Sequence, residues 1–284
     1  MERQCLICGG TSFLVAFTEF DVDVLRCQSC GHVFSSYQGD VHYDGYFGYE
    51  TISEDKHHWW DIAHRKMYDH FGRVFLSGKS GRLLDVGCGL GFFVKACEKW
   101  PQWEAFGCEI STQAADFARE KLGLKNINAG LVEEAGYEPA SFDIITLWDV
   151  IEHLADPDSF LKHLHSLLKE GGILFIHTPN APMQLYKAKL KCTLRGMKEG
   201  LHYLEAKDHL HLYQMTTMNK LLARCGFAKI EYTHLWPIQS VAGSKGKLAL
   251  WAKNGWFFLS RMIYALSFGA WNINNNLFVL GRKE

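Results

Sequence analysis

A chain of 284 residues, 48% apolar and 21% charged, can bury a full core and is not a disordered or low-complexity sequence. Its 30 Lys and Arg against 31 Asp and Glu leave a formal net charge of −1, which excludes a global field that recruits nucleic acid. Nine cysteines, an odd number, follow an N-terminus (MERQCLIC) without the layout of a signal peptide, so the reading is reduced thiols or metal ligation in the cytoplasm rather than a disulfide framework.

In chain order, the first element is a pair of CxxC turns. Cys5 and Cys8 are followed, after eighteen residues, by Cys27 and Cys30, with glycines just behind each pair. Four thiolates at this spacing complete a closed tetrahedron around zinc, so the site is structural and leaves no position for substrate. The segment TSFLVAFTEFDVDVLRC between the pairs reads as two short strands of a zinc ribbon spanning residues 1–38. Arg3 and Arg26 alone give it too little positive charge to grip phosphates, so nucleic acid is not an expected partner.

GRLLDVGCGLGFFVKAC (81–97) places a buried strand, a glycine turn and a helix in immediate succession. Gly87, Gly89 and Gly91 would let a ligand approach the main chain at a helix N-terminus. The spacing departs from the dinucleotide fingerprint, because Phe92 takes the place of the last glycine. Asp85 precedes the turn, and the next strand, WEAFGCEI, ends in Glu109, a carboxylate suited to two ribose hydroxyls.

Helices and strands then alternate. STQAADFAREKLG opens on a Ser111 cap, FDIITLW (142–148) is a strand, and DPDSFLKHLHSLLKEGG is a helix capped by Asp156 with Pro157 in its first turn. GILFIHTP (172–179), FAKIEYTHL and NLFVLGRKE supply further strands, and TTMNKLLARCG a further helix. The pattern predicts an α/β fold, doubly wound around a mostly parallel sheet.

With Asp85, the GxGxG turn and Glu109 in place, residues 57–235 resemble the class I S-adenosylmethionine-dependent methyltransferases. The resemblance implies a seven-stranded Rossmann-like sheet with an antiparallel edge strand, in a methyltransferase domain over residues 39–284. It implies that Gly87, Gly89 and Gly91 face the amino-acid part of the cofactor, that Asp85 acts on its methionine end and that Glu109 and Ile110 hold the ribose. The acidic residue such enzymes carry after the third strand has no counterpart at Gly130, so the adenine contact is assigned to the main chain at Leu131 and Val132, with Glu133 as a weaker candidate. LWDVIEHLADP (147–157) resembles the segment after the fourth strand of small-molecule methyltransferases. There Trp148 packs on the cofactor, Asp149 stands beside it, and His153 is the candidate base for a hydroxyl acceptor. KDHLHLY puts His209 and His211 on alternate sides of an extended segment, with His209 the second catalytic candidate. HHWWDIAHRK (57–66) resembles the family's entry helix, with Arg65 directed at the cofactor carboxylate and Trp59 or Trp60 walling the pocket.

Two regions are extra to such a core and would shape the acceptor site. Residues 181–212 hold Lys187, Lys189, Lys191, Arg195 and Lys198, which suit either an anionic acceptor or a solvated helix face. Residues 240–275 mix Lys245, Lys247, Lys253 and Arg261 with aromatic groups, leaving a lid, a dimer surface and a membrane-surface helix open. A ribbon ahead of this core also resembles methyltransferases of nucleotide-linked deoxysugars. The reading is therefore an enzyme that O-methylates a small molecule, a sugar, glycan precursor or secondary metabolite. The alternative is a nucleic-acid or protein modifier docking through its ribbon, but WDVI stands where amino-nitrogen modifiers of bases carry a (D/N)PPY-type motif.

Overall fold

The computed structural model describes residues 3–39, 54–239 and 247–284, and side chains throughout these except at 54–60 and 247–249. The glycine turn follows β4 (Gly81–Val86), an interior strand of a seven-stranded sheet. On one side of it run β5 (Trp103–Glu109) and β6 (Ile127–Ala129), and on the other β7 (Phe142–Trp148) and β8 (Leu168–Pro179), all parallel to their neighbours. The C-terminal strand, β11 (Asn276–Arg282), inserts antiparallel between β8 and β10 (Lys229–Tyr232), giving the expected reversed strand beside the sheet edge. Leu83, Leu84, Ile145, Leu147 and Leu174 are fully buried, as strands covered by helices on both faces require.

The helices follow from their caps and apolar spacing. In α1 (Glu54–Phe71), Ala63, Met67 and Phe71 recur every fourth residue and are all buried. After the turn, α2 (Phe92–Cys97) is short, and α3 (Thr112–Glu120) begins where Ser111 Oγ accepts the Ala114 N–H at 3.3 Å. Asp156 caps α4 (Pro157–Leu167) through the Ser159 N–H at 3.2 Å, with Pro157 in the first turn as the sequence predicts. Further α-helices among the described residues are α5 (Ala181–Arg195), α6 (Met215–Arg224) and α7 (Lys247–Leu266). Among the described residues, no helix is long and apolar enough to cross a membrane.

The N-terminal segment forms the predicted hairpin, β1 (Phe13–Glu19) with β2 (Val22–Cys27), and a further strand, β3 (Val33–Ser35). What the sequence did not indicate is the fourth strand of this sheet. β9 (His211–Leu212) comes from the distant KDHLHLY segment and pairs with β3 through Phe34↔His211 and Val33↔Leu212. The contact is fixed by polar groups as well. The buried Glu19 carboxylate accepts the N–H groups of Tyr203, Leu204 and Ala206 at 2.5, 2.9 and 2.7 Å. Arg224 donates to the Ile7 carbonyl at 3.0 Å while pairing with Asp158. Phe17, Val22, Val24 and Val33 share one apolar cluster with Ala188 of α5 and Leu204, Ala206 and Leu212.

The ribbon thus holds the 203–212 segment in place. Replacing Glu19 by Ala strips three buried or half-buried donors of their acceptor, and a loss of about 2–4 kcal/mol is expected. Urea unfolding gives that number, and amide exchange should quicken first at Leu204 and Ala206. Unchanged stability and exchange would mean that the carboxylate does not hold the segment.

Candidate active site

Glycine takes its place in this turn because of backbone geometry and close packing. Gly87, Gly89 and Gly91 all have positive φ, at 71°, 52° and 81°, which other residues rarely adopt. A Cβ on Gly87 would lie 2.6 Å from Val150 Cγ2, and one on Gly91 would lie 2.8 Å from both Ala118 Cβ and Leu124 Cδ1. The turn is then pinned to β5, since Gly87 and Cys88 N–H donate to the Cys108 carbonyl at 2.8 and 3.1 Å.

The turn, the ends of β5 and β7 and the inner face of α1 enclose a cavity of about 770 Å³, within the usual range for small-molecule sites. Two buried carboxyl groups stand at its floor. Glu109 Oε2 accepts the Gly89 N–H at 2.8 Å and Oε1 the Ser111 N–H at 2.9 Å, so one side chain ties the glycine turn to the helix that follows β5. Each oxygen keeps further lone-pair capacity for a hydroxyl donor. Burial raises the Glu109 carboxyl, with the Ser111 and Gly89 N–H groups acting in the opposite direction. Asp85 Oδ1 accepts from Thr146 Oγ1 at 2.6 Å across the β4–β7 pairing. Burial pushes Asp85 up to about 8, against the Thr146 hydrogen bond and with the help of the Glu109 charge. Among the described residues no cationic side chain pairs with either group. Such a pair suits a ligand that brings its own positive charge and hydroxyl donors.

The wall is aromatic. Trp148 packs against Tyr68 and Phe93, with ring centroids 5.2 and 5.0 Å away, and against Phe175 from behind at 4.8 Å. Beyond Trp148 the chain turns at Asp149, whose φ of 53° is uncommon outside glycine. Two contacts to His177 hold it there: the Asp149 N–H donates to the His177 carbonyl at 3.0 Å, and Oδ1 lies 3.0 Å from Nδ1. His177 Nε2 meets the Asn276 side-chain amide at 2.8 Å. Burial would raise the Asp149 carboxyl, but His177 holds it below its ordinary value. Glu152, fully buried beside it, is driven well above its own range by burial and by the Asp149 charge, while Thr178 Oγ1 donates to its Oε2 at 2.9 Å. Their environments thus push the two neighbouring carboxyls in opposite directions.

At the rim, His153 Nδ1 donates to the Asp208 carbonyl at 2.9 Å, placing the lone pair of the neutral ring on Nε2. Its ring meets that of His209 at 4.8 Å, and His209 Nε2 lies 3.4 Å from Glu205 Oε2. Burial lowers both imidazoles, and for His153 the nearby His209 adds to the effect. His209 closes a turn through its N–H to the Glu205 carbonyl at 2.8 Å, so the segment is extended only from His211, and neither ring points to solvent. His209 lines the cavity, whereas His211 turns to the ribbon, its Nδ1 3.2 Å from His32 Nε2.

Residues 56–232 match the family model described as a methyltransferase domain. The chain belongs to that family. Similar curated proteins include a ubiquinone biosynthesis O-methyltransferase of Cupriavidus pinatubonensis, 28% identical over 150 residues, covering 48% of this chain and 60% of the relative. Another, from Caulobacter vibrioides, is 35% identical over 135 residues, covering 42% of this chain and 50% of the relative. The matched part is thus little more than half the length of these relatives. Among solved structures, an S-adenosylmethionine-dependent methyltransferase of Thermotoga maritima, titled a possible histamine N-methyltransferase, aligns with TM-score 0.55 and 18% identity, covering 86% of this chain and 100% of that one. At that identity the likeness shows a shared fold.

The fold brings most of the predicted site residues together. Asp85, Gly87, Gly89, Glu109, Ile110, Leu131, Val132, Trp148, Asp149, His153 and His209 all line the cavity, as does Glu133. Two do not. Arg65 is 54% exposed and pairs with Asp61 one turn back on α1. The inner face of that helix carries His64, Met67 and Tyr68 instead, three and four residues apart, so Arg65 lies one step of the helix away from the cavity. Gly91 is the N-cap of α2 and lies against Ala118, away from the cavity lining. The side chains of Trp59 and Trp60 lie outside the described ones. None of the five cations between Lys187 and Lys198 lines the cavity. The sequence reading did not single out Tyr68, Thr146, Glu152, His177 or Glu205. LWDVIEHLADP flagged the neighbourhood of Glu152, but a histidine inside a buried strand such as GILFIHTP reads as core.

Proposed function

We propose that this chain transfers a methyl group from S-adenosylmethionine to an oxygen of a small, apolar and planar molecule. The observation that carries the reading is the uncompensated carboxyl pair, Asp85 and Glu109, beside the glycine turn. A sulfonium nucleoside fits this donor set, since it presents cationic groups and ribose hydroxyls together. Glu109 would hold the ribose, Asp85 the amino-acid end, and the main chain from Gly130 to Glu133 the base, where the open backbone of Gly130 leaves room. When bound, the cofactor supplies an electrophilic methyl group. The residues around it exclude water and orient the acceptor, and this is most of what methyl transfer requires.

The names of the curated relatives support oxygen as the acceptor atom. The aromatic wall of Tyr68, Phe93 and Trp148 favours a flat apolar body over the sugar or glycan precursor expected from sequence. His153 is placed to take the hydroxyl proton on Nε2, with Nδ1 anchored to Asp208. Since its pKa is depressed, the ring is neutral at pH 7 and stays so below the ordinary histidine value. The cysteines fit a structural zinc ion. Their Sγ atoms lie 3.6 Å (Cys5–Cys30) and 3.5 Å (Cys8–Cys27) apart, near the roughly 3.8 Å edge of a tetrahedron with Zn–S of about 2.3 Å.

Methyl transfer from labelled S-adenosylmethionine to a panel of hydroxylated aromatic and sugar acceptors tests the function. Glu109→Ala is expected to weaken cofactor binding at least about a hundredfold. His153→Ala is expected to lower kcat about 10²–10⁴-fold with cofactor affinity unchanged, and the acid limb of the wild-type profile should fall below pH 6.5. Transfer to sugars alone, or retained affinity in Glu109→Ala, would contradict the reading. Metal analysis is expected to find one zinc per chain, released when the thiols are alkylated; a folded, metal-free ribbon would rule zinc out.

A further inference from the structure

The outer surface of α7 is unlike that of a solvated helix. Two of its polar groups turn inward, Lys253 donating to the Ile238 carbonyl and the fully buried Ser260 hydroxyl to the Phe257 carbonyl at 2.8 Å, while Arg261 stays exposed. Its apolar groups turn outward. Trp251 is 77% and Leu266 72% exposed, and the turn beyond adds Phe268 at 99% and Trp271 at 69%. On α5, the exposed residues Tyr186, Leu190 and Leu194 follow one another four apart and form a second apolar stripe. The two elements are neighbours, because Asn180 Nδ2 donates to the carbonyls of Asn272 and Asn274 at 3.0 and 2.7 Å, and Gln184 Nε2 to that of Asn275 at 2.9 Å.

The charges of this surface have one sign. Lys189, Lys191, Arg195, Lys198 and Arg261 are exposed here, whereas Lys187 is half-buried and Lys253 turns inward, and residues 181–198 and 250–275 hold none of the 31 Asp and Glu. A second copy docked face to face would set these cations against their own kind. An anionic lipid surface meets both properties, since it takes apolar and Trp or Tyr side chains at its interface and attracts Lys and Arg, each worth roughly fivefold in affinity. No described helix is long and apolar enough to cross a bilayer, which leaves α7 lying in the surface plane.

We propose that the outward faces of α5 and α7, with the turn through Trp271, dock this protein on an anionic membrane. The surface adjoins the carboxyl end of β8, at the same sheet edge as the cavity, so an acceptor dissolved in lipid would be within reach.

The test is co-sedimentation of the full chain with vesicles of phosphatidylcholine, with and without phosphatidylglycerol. The wild type should partition at least about tenfold more strongly onto the anionic vesicles, and lose that gain in high salt. Two variants, Lys189→Glu with Lys191→Glu, and Trp251→Ser with Leu266→Ser and Phe268→Ser, change only exposed groups. Each should cut partitioning at least about tenfold while leaving S-adenosylhomocysteine affinity unchanged. That second readout separates failure of docking from failure of the methyl-transfer reading. Equal partitioning of wild type and variants would overturn the proposal. So would light scattering that finds a wild-type dimer made monomeric by the serine variant.

Discussion

Two carboxyl groups buried side by side without a counter-charge are costly, and the candidate site is organised around that cost. Asp85 and Glu109 lie at the carboxyl ends of neighbouring parallel strands, Asp85 opposite Gly107, so the sheet places both at one edge. Glu109 spends part of its acceptor capacity on the N–H groups of Gly89 and Ser111, which fixes the turn and starts the next helix. Asp85, pushed up to about 8, keeps its proton near neutrality and leans on the Thr146 hydroxyl. A cationic ligand removes the penalty for both, which is a physical reason for this edge of the sheet to bind a sulfonium nucleoside.

The same logic runs through the second carboxyl pair. His177 beside Asp149 holds that carboxyl below its ordinary range, while burial and the Asp149 charge raise Glu152. The strained backbone at Asp149 is held by His177 from the next strand, so the turn after β7 is a device of two strands rather than of one loop. Beyond it, His153 and His209 meet at the rim because the 203–212 segment is clamped by the ribbon through Glu19 and β9. A ribbon far from the chemistry in sequence thereby sets the position of His209.

What could be read from the sequence was what is local in the chain. The strand–turn–helix run around Gly87 and Glu109 declares itself within thirty residues, as do the caps at Ser111 and Asp156. The reason for the glycines was not legible, because the clash partners Val150 and Ala118 come from other elements. Arg65 was misplaced because periodicity identifies a helix but leaves its rotation to the packing of Met67 and Phe71. Tyr68 and His177 escaped for a related reason: an aromatic or histidine at a buried position looks like core until the cavity beside it is seen. The β3–β9 pairing joins residues far apart in the chain, and no pattern in a two-residue strand announces it.

The central claim is that Asp85 waits protonated for a positively charged ligand. Calorimetry of S-adenosylmethionine binding at pH 7, repeated in buffers of different ionisation enthalpy, counts the protons exchanged. A carboxyl near pH 8 that ionises on binding should release about one proton per cofactor, and Asp85→Asn should abolish that release. Tight binding with no proton released, or the same count in both proteins, would contradict the account.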